Sequence, residues 1–483
     1  MLLSIIVLYF IGMSAIGLYY YKKTTSLSDY ILGGRSLNPW VAAMSAQASD
    51  MSGWLLLGLP GYAFVAGLEA IWISAGLALG TYLNWKFVAK KLRIFSEKAD
   101  DSLTLSSYFQ KRFKSNSVSL RLLTSVFILF FFLTYTASGL VASAKLFNTI
   151  FDVPYVLALT IGLVAVVLYT FLGGFMAVSW TDLFQGILMF FALLIVPLVV
   201  LGKIGGVGTA VDTIRSIDPT LLTLSVGTIG LTSVISLAAW GLGYFGQPHI
   251  LARFMAARDP EEIKISRKIS MIWVLITLIA SVVVGMLGSV YYLGVENFSS
   301  ETVFIQLVGD LFPPLVAGVM LSAVLAAIMS TADSQLLVSS SAFVEDIYNV
   351  VSKKKLSEIG QVWMGRVIVL VVALIAYTVA LNPENSVLEL VSYAWAGLGG
   401  TFGPAVLFSL YFRKTSYKGT FAGILLGGLT VILWKNLSGG IFDLYEIVPA
   451  FIVSSITICV VSILDKNSGS EAFFDELMDN RVA

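Results

Sequence analysis

Two stretches combine oxygen-bearing side chains with surroundings apolar enough to cross a bilayer. The first is "SAQASDMSGWLLLGLPG", residues 45–61, where Ser45, Gln47, Ser49, Asp50 and Ser52 precede Trp54 and a run of leucines. A carboxylate at membrane depth costs at least about 2.5–3.5 kcal/mol on insertion scales, so something must compensate Asp50. If the helix unwinds near Ala48–Met51, its freed carbonyls also need partners, because lipid offers none. A sodium ion, bound by oxygen ligands, answers both needs. Capping of the following half-helix by Asp50 is the simpler reading, and the two readings overlap. The second stretch is "LAAIMSTADSQLLVSSSAF", residues 325–343. Ala327, Ser330, Thr331 and Ser334 recur at helical spacing and share one face, with Asp333 beside them. Hydroxyls that bond back to the preceding turn would explain any one serine; the whole face is better explained as half of a cation site. Asp182, in "AVSWTDLFQG", reads most simply as a residue near a helix N-terminus, with an ion role as the alternative.

Aromatic residues flank these places. Trp54 follows the polar stretch, Tyr135 lies in "LTYTASG", and Trp240 and Tyr244 precede a Gly-Gln-Pro sequence. Any one of them alone reads as packing or as an interface anchor. Their clustering beside interrupted apolar segments points to a pocket for an organic molecule. The single histidine, His249, reads as structural.

The elements that must position these residues are membrane spans. Of the 483 residues, 57% are hydrophobic and only 12% charged, where soluble domains carry about 25%. About thirteen apolar stretches of spanning length lie near 2–21, 38–63, 66–90, 119–148, 154–174, 180–202, 226–254, 268–293, 313–347, 361–381, 386–411, 417–435 and 444–464. With the N-terminus outside, roughly 26 of the 30 basic residues fall in inner loops, as the positive-inside rule requires; the C-terminus is then cytoplasmic. The first stretch is too long, and lacks the basic leader, for a cleaved signal. The chain thus reads as one membrane domain, 1–465, with a polar tail at 466–483 (Glu471, Asp475, Glu476, Asp479) expected to be solvated and mobile. Span two carries Asp50, and span seven carries Gly241, Gly243, Gly246 and Pro248. Paired interrupted spans point to inverted repeats around a midplane site, here about 38–202 and 226–411, with extra helices at 2–21, 417–435 and 444–464.

Several classes are excluded. A net charge of +1 and the lack of a basic tract argue against nucleic acid, and no phosphate-binding loop implies a nucleotide. One histidine and one cysteine, Cys459, leave no metal cluster of the zinc type and no Ser-His-Asp triad. An intramembrane enzyme would have to use Asp50, Asp182 and Asp333, on three separate spans without a nucleophile; a channel is the other rival.

The motifs "LGGRSLNPW", "SAQASDMSGWLLLGLPG", "TYTASG", "GGFMAVSWTDLFQG", "WGLGYFGQPHILARFMAA" and "AAIMSTADSQLLVSSSAFVEDIY", in that order over residues about 30–350, resemble the sodium:solute symporter family, most closely its sodium/proline symporters. The resemblance implies an all-α fold of the leucine-transporter type, with a core of two inverted five-helix repeats and broken helices. It also implies sodium-coupled uptake of L-proline across a plasma membrane, most simply a bacterial inner membrane; pantothenate, another amino acid or a sugar acid is the alternative solute. It implies sodium ligands at the Ala48, Met51 and Ala327 carbonyls and the Ser330 and Thr331 hydroxyls, with Asp50 adjacent. For proline it implies Ser52, Trp54, Gly58, Tyr135, Trp240, Tyr244 and Pro248. Asp333 and Ser334, with Asp182, resemble a second sodium position of other branches.

Overall fold

The computed structural model describes all residues except 22, 25, 116, 173, 353–355, 466–469 and 479–483. Lys22, Lys353, Lys354, Lys355, Lys466 and Arg481, counted above among the inner basic residues, and Asp479 of the tail lie outside the described residues. The described chain is helical, and its one β-bridge joins Leu37 to Ala257.

Each expected span coincides with a helix or a broken pair. The first is α1 (Leu2–Tyr21). α2 (Pro39–Asp50) starts with proline at its first turn and with the Asn38 side chain accepting the Val41 N–H at 3.0 Å, a strong start signal. It stops at Met51, and a wide π-turn, Trp54–Gly58, leads into α3 (Leu59–Ala66). Gly67, at φ +63°, turns the chain into α4 (Ile71–Leu83). Three long helices follow: α5 (Ser119–Phe151), α6 (Tyr155–Leu172) and α7 (Phe175–Ile204).

The expected single span at 226–254 is a chain of short pieces. α8 (Leu231–Ala238) runs into a 3-10 stretch, Ala239–Gly246, and then α9 (Pro248–Met255). The remainder is α10 (Ile263–Tyr291), α11 (Pro314–Ser341), α12 (Glu358–Ala380), α13 (Val387–Tyr411), α14 (Tyr417–Trp434) and α15 (Ile447–Leu464). Among the described residues nine helical runs are long and apolar enough to cross a membrane, and two shorter apolar helices join them.

The middle of the bundle is formed by the two broken pairs with α5, α7, α11 and α13 packed around them. Close approach at the second break depends on glycine. A methyl group on Gly76 of α4 would lie 2.1 Å from the Ala238 carbonyl oxygen, and one on Gly241 would lie 2.1 Å from that of Gly76. Backbone meets backbone there.

The tail departs from expectation. Its described part is a helix, α16 (Ser470–Met478), whose Phe473, Phe474 and Leu477 are buried against the segments Lys90–Lys98 and Leu105–Arg112. Acidic residues on its other side pair with loop cations: Arg413 with Glu471 at 3.0 Å and with Asp475 at 2.7 Å, and Lys114 with Glu476 at 3.0 Å. An apolar face three residues strong outweighs the acidic composition.

Candidate functional site

The break in span two determines which backbone groups need partners. The last carbonyls of a helix lack intrahelical donors. At the end of α2, Gln47 O still accepts the Met51 N–H at 2.8 Å. Met51 then leaves helical geometry (φ −78°, ψ 71°), and the Ser52 N–H turns to Asp50 O at 2.9 Å, so Ala48 O loses its helical donor. Ala48 O is taken up by α11: the Ser330 hydroxyl donates to it at 2.7 Å and the Thr331 hydroxyl at 3.3 Å. The Ser330 hydroxyl is also 3.3 Å from Ala327 O. The structure thereby brings together four of the five expected sodium-site positions, on α2 and α11, in a fully enclosed interior. The fifth, Met51, is buried at the turn itself.

Asp50 is fully buried. Its backbone carbonyl accepts the Trp54 indole N–H and the Tyr135 hydroxyl, each at 3.2 Å. Its side-chain Oδ2 accepts the Tyr244 hydroxyl at 2.5 Å, while Oδ1 has no hydrogen-bond partner among the described residues. The capping reading of Asp50 is therefore corrected. No side chain caps the π-turn start; the nearest such contact is Ser52, whose Oγ accepts the Trp54 N–H at 3.4 Å. Asp50 is tied to the second broken helix instead.

Five of the expected substrate residues gather here. Ser52, Trp54, Tyr135 and Tyr244 surround Asp50, and the Trp240 ring lies 6.0 Å from that of Trp54. The other two expected residues also contact other elements. Gly58 packs against α13, where a methyl group would come within 3.1 Å of Leu388 Cβ. Pro248 lines a small cavity of about 30 Å³ with Leu103, Met255 and Asp346. Glycine serves helix approach in the first case, and the proline starts α9 in the second.

Residues beyond the expected set complete the aromatic wall. The Trp395 indole N–H donates to Trp240 O at 2.7 Å, and its ring meets Tyr244 edge-on at 5.1 Å. Tyr445 stacks on Trp240 at 5.8 Å. Trp395 precedes its own glycine-rich run, Gly397 to Gly403 with Pro404, which the sequence reading did not weigh and through which α13 stays unbroken. Tyr445 sits at the start of a plain apolar span and carried no such signal.

Asp182, Asp333 and Ser334 also converge, around Arg253, one of the basic residues that the charge count assigns to the inner side. Arg253 of α9 is fully buried. Its Nη2 donates to Asp182 Oδ2 at 3.3 Å and to Ser334 Oγ at 2.6 Å, its Nε to Ser45 Oγ at 3.0 Å, and its Nη1 to His249 O at 3.0 Å. Asp182 sits two turns inside α7 rather than at its start, so the helix-terminus reading does not hold. His249 packs edge-on against Phe132 and Tyr135.

Against known proteins, the profile of the sodium:solute symporter family matches residues 30–427. The chain is 50% identical to the sodium/proline symporter of Escherichia coli (strain K12) over 95% of this chain and 92% of that protein. It is 47% identical to the high-affinity proline transporter PutP of Bacillus subtilis (strain 168), over 97% and 98%. In fold it resembles the substrate-bound outward-open state of a Na+-coupled sialic acid symporter, with a TM-score of 0.80, 20% identity and coverage of 96% and 98%. The broken helix pairs and that likeness identify the fold as the leucine-transporter type. On the family profile and on identity across nearly its whole length, the chain belongs to the sodium:solute symporter family.

Proposed function

We propose that this protein takes up L-proline together with sodium by alternating access. The observation that carries the reading is the released Ala48 carbonyl facing the Ser330 and Thr331 hydroxyls across the break, next to a cluster of aromatic rings. Relatives named for sodium and proline, at about half identity over the full length, support it. The substrate leaves chemically unchanged, so the protein is a carrier and not an enzyme.

In this reading sodium is held by the Ala48, Met51 and Ala327 carbonyls and by the Ser330 and Thr331 hydroxyls. To accept the ion, both hydroxyls turn their lone pairs inward and give up their bonds to Ala48 O. The ion then joins α2 to α11 in place of those bonds. Asp50 does not ligate the ion directly; through Tyr244 it holds the second broken pair in register with the first. Proline occupies the space bounded by Ser52, Trp54, Tyr135, Trp240 and Tyr244, its ring on the aromatic faces and its carboxylate toward a half-helix N-terminus. Gly58 and Pro248 act through helix placement. Binding linkage requires that proline raise sodium affinity by the factor by which sodium raises proline affinity.

The arrangement in the membrane follows from charge. The N-terminus is outside and α16 cytoplasmic, in a bacterial inner membrane. The inverted repeats are residues 38–202 and 226–411, flanked by the helices at 2–21, 417–435 and 444–464, with 466–483 as the tail.

The test is uptake of labelled proline into proteoliposomes with and without a sodium gradient, challenged by unlabelled solutes. Uptake should collapse without sodium, and only proline and its close analogues should compete. Asp50→Asn should abolish sodium-stimulated uptake while the purified protein stays folded. Competition by a sugar acid or pantothenate, but not by proline, would overturn the substrate assignment.

A further inference from the structure

We infer that the Arg253 guanidinium is a built-in second cation, tethered to α9, in the place where a second sodium ion would otherwise bind. This deepens the sodium-coupled reading and rests on it.

The position repeats the sodium site one helical turn away. On α2, Ser45 lies three residues before Ala48; on α11, Ser334 lies four residues after Ser330, and the Ser334 hydroxyl donates to Ser330 O at 2.8 Å. One turn is about 5.4 Å. The same two helices therefore present two successive oxygen clusters, and α7 adds Asp182 to the second. Ser45 Oγ donates to Asp182 Oδ2 at 2.6 Å, and Ser334 Oγ is 3.3 Å from Asp333 Oδ1. Carboxylate and hydroxyl oxygens at such spacing are the donor set of a small hard cation.

Arg253 occupies three of those four side chains. Its Nη2 and Nε take Asp182, Ser334 and Ser45 as acceptors, and the Phe175 ring lies 5.2 Å from its Cζ. Arg253, Asp182, Asp333, Ser45 and Ser334 are all fully buried, so no solvent neutralises the two carboxylates. A buried charge is kept only when paired, and here the partner is covalently attached. Asp182 Oδ1 and Asp333 Oδ2 have no hydrogen-bond partner among the described residues. They are the oxygens a sodium ion would add to Ser45 and Ser334 once the guanidinium is removed. Arg253 is accordingly a positioning residue that decides how many ions the carrier takes.

The experiment counts radioactive sodium bound per purified chain in detergent, for the unaltered protein, Arg253→Met and Arg253→Met with Asp182→Asn. The unaltered chain should bind one ion hyperbolically. Arg253→Met should bind two with a sigmoidal isotherm, and the double variant should return to one. A count of two for the unaltered chain, or of one for a folded Arg253→Met, overturns the inference. If Arg253→Met does not survive purification, Arg253→Gln, which keeps donors without charge, should bind two, and a count of one for it overturns the inference equally. Arg253→Lys should stay at one. The count needs no proline: absence of proline-dependent sodium flux in proteoliposomes overturns the substrate assignment alone.

Discussion

Tyr244 and Asp50 meet across the two breaks, and each depends on the other. The hydroxyl is the one donor to the buried carboxylate side chain among the described residues. Tyr244→Phe leaves that carboxylate with neither oxygen bonded, and an unsatisfied buried group costs about 1–3 kcal/mol, more when charged. Sodium affinity should fall by tenfold or more, about 1.4 kcal/mol, as read from the sodium dependence of proline uptake. A change under twofold would detach Asp50 from the sodium site. Asp50, Ser330 and Thr331 were legible in the sequence because polar groups are costly at membrane depth. Arg253 was not, because it lies at the end of its span, where arginine ordinarily reaches the interface. Only the fold turns that end inward between α2, α7 and α11.

The breaks are legible at the scale of elements, although their internal structure is not. Glycines crowding 239–246 marked span seven as irregular, yet nothing in that run specifies a 3-10 stretch or its partner. The partner is α4, whose Gly76 and Gly80 let the Ala238 and Gly241 carbonyls approach. Overpacking a tight contact costs about 1–3 kcal/mol, and here the obstacle is backbone, which cannot rotate away. Gly76→Ala should therefore lower the melting temperature of the detergent-solubilised protein by several degrees and reduce its yield. An unchanged melting curve would show that α4 and the 3-10 stretch can separate at little cost. The all-helical class and the order of the long helices were predictable because apolar stretches recur at spanning length. Which helices touch was not, since lipid-facing and core-facing leucines look alike in sequence.

Across the whole molecule, the sequence showed where charge accumulates but not what it binds. Counting acids made the tail look solvated, whereas the spacing of Phe473, Phe474 and Leu477 gives α16 one apolar face. Removal of residues 466–483 should expose Arg112, which lies 5.0 Å from the Phe474 ring, and should lower thermal stability, checked by melting curves of the shortened chain. The Arg413 guanidinium holds the Asp475 carboxyl below the usual carboxylate range. A lowered carboxyl stabilises the docked helix at neutral pH, and that contribution disappears as pH falls through the folded value. The gap between the truncated and full chains should therefore narrow in acid, without closing because the apolar face stays docked, and a gap that widens there would contradict the ion-pair account. The tethered guanidinium has a further consequence, for the electrical work of a cycle. It travels with the protein and never crosses the bilayer, so each turnover with zwitterionic proline moves one net charge. One charge across 100 mV supplies about 2.3 kcal/mol, and a tenfold sodium gradient about 1.4 kcal/mol. A cell holding both could concentrate proline about 500-fold, and replacing Arg253 with a second mobile ion would square that ceiling while doubling the current drawn per molecule.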